Sequence, residues 1–62
     1  MSPTLQTFDL YLHGDRQGPH FEPLVCFDRR DVLPTVRRIM EERRLYAVEV
    51  HQEGVPLFTV LN

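Results

Sequence analysis

Three histidines, one cysteine and six clustered arginines are the residues of this chain with chemistry to offer. His13 and His51 fall at the ends of two segments that read as strands, and Glu49 lies two residues before His51. Were those strands neighbours, two imidazoles and a carboxylate would converge on one face, as a Zn²⁺ site requires. The spacing matches no compact ligand motif, and His20 falls in a loop, so surface histidines are the expectation and a metal at His13, His51 and Glu49 the weakest reading. Cys26 could serve a histidine as nucleophile. No helix start directly follows it to acidify the thiol, and a packed strand cysteine is expected. Gly14-Asp-Arg-Gln-Gly18 has the glycines of a phosphate loop without its lysine or its helix, and reads as a turn.

The arginines are the stronger pattern. All seven basic residues are arginine, and six lie between Arg29 and Arg44 with only Asp31, Glu41 and Glu42 as acids, so this segment carries +3. The remainder holds Arg16 against six acids, or −5, giving the overall charge of −2. Arg30, Arg37 and Arg44 recur every seven residues and fall near one line on a helix, where they could meet phosphates. Glu41 interrupts that line, Arg38 and Glu42 form an i, i+4 pair, and no aromatic residue interleaves for base stacking. A solvated helix face is therefore expected, with nucleic-acid binding by Arg30, Arg37 and Arg44 as the alternative. Arginine without lysine is what the coding of a GC-rich bacterial genome produces.

Those residues must be held by a very small domain. Sixty-two residues, 42% of them apolar, make one unit with a thin core and no room for a deep catalytic pocket. A single cysteine rules out an internal disulfide and suits a reducing cytoplasm. No apolar run has the length of a signal sequence or a membrane span. Nothing in the sequence calls for a cofactor.

The elements can be placed by periodicity. Residues 1–6 read as a flexible tail. Thr7–His13 alternates strictly, with Phe8, Leu10 and Leu12 on one face and Asp9, Tyr11 and His13 on the other. Phe21–Phe27 reads as a second strand, with Phe21, Val25 and Phe27 one way and Leu24 and Cys26 the other. Pro23 confines it to an edge or a bulge. Asp31 is the expected helix cap, because Pro34 then sits third in the helix, where a missing N–H costs nothing. Val32, Leu33, Val36, Ile39 and Met40 form the core stripe, and Arg43, inside that stripe, must run its stem along it and send its guanidinium to solvent or an acid. Ala47–Leu61 reads as a hairpin with Gln52-Glu53-Gly54 as its loop, which pairs Val50 with Pro56, Glu49 with Leu57 and Val48 with Phe58. Val48, Val50, Pro56, Phe58 and Val60 then share the helix face.

The expected architecture is α+β: a two-layer β-β-α-β-β domain with a four-stranded, mainly antiparallel sheet and one helix packed on one face. Strand order is left open. One helix leaves the other sheet face bare, and the spacing puts Tyr11, Leu24, Cys26, Val55, Leu57 and Leu61 there. A patch of that kind exceeds what monomers usually expose. The expected function is thus non-enzymatic: self-association as a homodimer, or a protein partner, bound through Tyr11, Val55, Leu57 and Leu61.

Overall fold

The computed structural model describes residues 4–15 and 18–62. The expected tail at residues 1–3 and the loop residues 16 and 17 lie outside that set. The elements run β1 (Gln6–His13), β2 (His20–Cys26), a 3₁₀ turn (Arg29–Asp31), α1 (Val32–Arg43), β3 (Ala47–Gln52) and β4 (Val55–Leu61). Among the described residues the four strands form one sheet in the order β2-β1-β3-β4, antiparallel at every junction, and α1 is the single α-helix of an α+β fold. Gln6 belongs to β1 and not to the tail, because it pairs with Cys26.

The helix begins as Pro34 requires, after Asp31, but Asp31 does not cap it with its side chain. Asp28 does the capping one turn earlier. Its carboxylate accepts the Arg30 backbone N–H at 2.9 Å, and its carbonyl accepts the Asp31 N–H at 3.0 Å. Both aspartates are thus used, one side chain for the 3₁₀ turn and one backbone for α1. The helix stops at Arg44, whose φ of 53° and ψ of 48° are left-handed, and the Leu45 N–H closes back on the Met40 carbonyl at 2.9 Å. The chain then rejoins the sheet as the Tyr46 N–H donates to the His13 carbonyl at 3.0 Å.

The core is the layer between α1 and the two central strands. Phe8, Leu10 and Leu12 of β1 and Val48 and Val50 of β3 meet Val32, Val36 and Met40 of α1, with Leu45 closing one end. Ile39 is half-buried against this cluster, whereas Leu33 sits at the solvent side of the stripe and is exposed. Arg43 does what its place in the stripe demands: its guanidinium reaches Glu22 of β2 at 2.9 Å and ties the helix end to an edge strand.

The hairpin departs from the expected register. Glu53 (φ 51°) and Gly54 (φ 80°) are both left-handed, which makes a two-residue loop flanked by the pair Gln52–Val55. His51 pairs with Pro56, and Val50 with Phe58, so Leu57 is the extra residue of a β-bulge. Glu49 therefore faces Thr59, not Leu57, and Val48 faces Val60, not Phe58. Pro56 moves to the face of His51, away from the helix. Phe58 and Val60 keep the helix side, but α1 does not extend over β4, and Phe58 stays 39% exposed.

Candidate functional site

The bare face of the sheet is read directly from the strand pairing. Opposite β1 residues Thr7, Asp9 and Tyr11 stand Val25, Pro23 and Phe21 of β2, and on the other side His51 and Glu49 of β3 face Asp9 and Tyr11. Paired residues share a face, so all of these lie away from the helix. The parity of β2 is thus the reverse of the expected one. Leu24 pairs with Phe8 and Cys26 with Gln6, and both pack on the core cluster, while Phe21 and Val25 are outside and about half exposed.

Of the four residues expected to bind a partner, two occupy this face. Tyr11 is at its centre. Leu61, opposite Ala47 on β4, is 75% exposed. Val55 shares the face of Gln52, which by alternation is the helix side, and it is exposed there. Leu57 is corrected outright: the bulge turns it half-buried against the core cluster. Phe21 and Val25 were missed in the sequence. The signal that could have found them is Glu22, whose pairing with the core-stripe residue Arg43 requires the helix side and therefore sends its two neighbours outward.

Three aromatic rings cross the face from strand to strand. Tyr11 lies 5.6 Å from Phe21 between centroids, and 4.7 Å from His51 with the rings edge to face. Such pairs add to their burial a geometric preference of about 0.5–1.5 kcal/mol. Beside this row, His13, Glu49 and His51 do come together. His13 Nε2 donates to Glu49 Oε2 at 2.7 Å, and His51 Nε2 stands 3.7 Å from Glu49 Oε1. The hydrogen bond from His13 holds the Glu49 carboxyl below the usual carboxylate range, against the opposing effect of partial desolvation. The carboxylate bridges the imidazoles by its two oxygens, so the donors face one another. Among the described residues no three His, Cys, Asp or Glu side chains are grouped to hold a metal ion. His20, paired with Leu12, lies on the opposite face.

The arginine line is divided. Arg30 is held by Asp28 through a 2.8 Å ion pair, and that contact lowers the Asp28 pKa and raises that of Arg30. Arg37 and Arg44 instead line a shallow groove of about 540 Å³ between α1 and the end of β4, with Met40, Glu41, Val60, Leu61 and Asn62. The Cys26 thiol donates to the Asp28 carbonyl at 3.4 Å.

The chain matches no family model, and no curated protein or solved structure is significantly similar to it.

Proposed function

We propose that this chain is a non-enzymatic association domain whose working surface is the bare face of its sheet and whose partner is a protein. The supporting observation is the aromatic row Phe21–Tyr11–His51, flanked by exposed Val25 and Leu61, on a face opposite the one α1 covers. Rings already ordered by their neighbours, with Phe21 half exposed, lose little freedom on binding and serve as anchor residues in interfaces. The groups with reactive chemistry are meanwhile engaged with each other: His13 and His51 with Glu49, Cys26 with a backbone carbonyl. Among the described residues no helix is long and apolar enough to cross a membrane, and the single cysteine fits a cytoplasmic setting.

The test is a photoreactive benzoylphenylalanine in place of Phe21. Irradiated in cells making the protein at its natural level, it should give one discrete product of higher mass. The same group replacing Glu42, which is exposed on the helix, should give none. Equal yields at both positions, or no product at position 21, would reject the reading.

A second reading keeps Arg37 and Arg44 as phosphate contacts, since they share one groove and, among the described residues, neither forms an ion pair as Arg30 and Arg43 do.

A further inference from the structure

The two edges of the sheet are not alike. β2 carries Pro23 at its middle, which removes a backbone donor, and Glu22 beside it, which is charged. Both are devices that keep another strand from adding to an edge. β4 has no charged residue from end to end. Pro56 and the bulge at Leu57 close the end nearest the turn, and beyond them Phe58-Thr-Val-Leu61 is four residues of apolar and β-branched edge with neither guard. Its side chains are uncovered too: Phe58, Thr59 and Leu61 are exposed, and Val60 is only partly buried.

We propose that this edge pairs antiparallel with the same edge of a second copy, joining two sheets into one of eight strands. This contact is made by the backbone edge of β4, not by the aromatic row of the bare face that Leu61 flanks, and it stands without that reading. The symmetry selects the register. A two-fold axis perpendicular to the sheet lets only residues of the same face meet, so one residue must lie on the axis. With Thr59 there, Thr59 faces its own copy on the bare side, and Phe58 faces Val60 on the helix side, twice. Threonine pairs and aromatic against β-branched pairs are favourable cross-strand partners. An axis on Phe58 would place the bulge inside the new ladder. An axis on Val60 would pair Phe58 with Asn62, a polar residue.

The self-matching register of this uncharged edge makes a second copy the fitting occupant. The groove lined by Arg37, Glu41 and Arg44 lies beside it, between α1 and the end of β4.

Sedimentation and amide exchange on the full chain decide this. At about 100 µM the wild type should sediment as a dimer and dissociate on dilution to about 1 µM. Half of the β4 amides, those directed away from β3, should gain protection as concentration rises. Thr59→Lys puts two lysines face to face on the axis and should weaken association about tenfold or more. Thr59→Glu should do the same, and an equimolar mixture of the two should recover the dimer. Val25→Lys, on the bare face at the opposite edge, should leave it intact. A wild-type monomer at about 100 µM, or β4 amides whose protection ignores concentration, overturns the proposal. A dimer lost with Val25→Lys but kept with Thr59→Lys also overturns it, and moves self-association to the bare face. Should the lysine variant fail to fold by circular dichroism, the wild-type exchange data stand alone as the deciding measurement.

Discussion

At the scale of single residues, burial separates side chains that the sequence treats alike. Phe8 and Phe58 both alternate correctly onto the helix side, yet Phe8 is 1% exposed and Phe58 39%. Phe8→Ala should therefore cost about 3–5 kcal/mol, enough to unfold much of so small a domain, whereas Phe58→Ala should cost under about 1.5 kcal/mol in the monomer. Urea melts of both variants check the difference, and equal losses would mean that α1 reaches over β4. Glu49, with Asp28, carries acid-side pH dependence, since the pKa of each carboxyl is depressed in the fold. For Glu49 the contribution to stability is complete above the ordinary glutamate value and is lost as pH falls through the depressed one. Thermal melts should show the acid loss beginning below about pH 4.5, and Glu49→Gln should flatten that part of the curve. The meeting of His13, Glu49 and His51 was legible from alternation once the strands were neighbours. Its outcome was not, because a carboxylate placed between two imidazoles is satisfied by them, and no spacing rule reports that.

At the scale of elements, β1 and α1 were readable because one strong pattern governs each: strict alternation in β1, and in α1 an apolar stripe whose start is set by Pro34. β2 was not. Its four apolar positions, interrupted by Glu22 and Pro23, fit either parity, and the ion pair from Arg43 together with the Phe8–Leu24 pairing decides between them. The β3–β4 hairpin shows a subtler failure. Glycine at position 54 fits both a three-residue loop and the second position of a two-residue loop, and the choice rests on Glu53 accepting a left-handed backbone. A glutamate there is strained, so Glu53→Asn should stabilise the fold by about 0.5–1 kcal/mol, since asparagine visits that region more readily. Gly54→Ala, at φ 80°, should destabilise by about 1 kcal/mol. A three-residue loop with Gly54 alone left-handed would make the Glu53 change neutral, and chemical melts of the two variants distinguish these loops.

For the whole molecule, periodicity gives the two layers but not the order of strands, which depends on which edge β3 joins after the helix crosses. β3 lies beside β1, and this leaves β2 and β4 as edges with opposite character, one guarded and one open. The same arrangement distributes charge. The acids Asp9 and Glu49 lie on the bare face with Tyr11, while Arg37 and Arg44 lie at the opposite side by the groove. Nucleic acid approaching the aromatic row would meet those acids first, so stacking on Tyr11 and Phe21 is disfavoured despite their geometry. Of Arg30, Arg37 and Arg44, the first is bound to Asp28, so the groove offers two phosphate contacts, not three. The salt dependence of any binding to duplex DNA should then have a logarithmic slope of about −2, at roughly −0.9 per contact. Arg37→Ala should halve it. With so few contacts and a net charge of −2, affinity should be no tighter than about 10⁻⁴ M at physiological salt, the weak end of non-specific binding. Titration of labelled duplex and single strands near 50 mM salt provides the measurement. Submicromolar binding that Arg37→Ala abolishes would make the groove the working surface and displace the protein-partner reading.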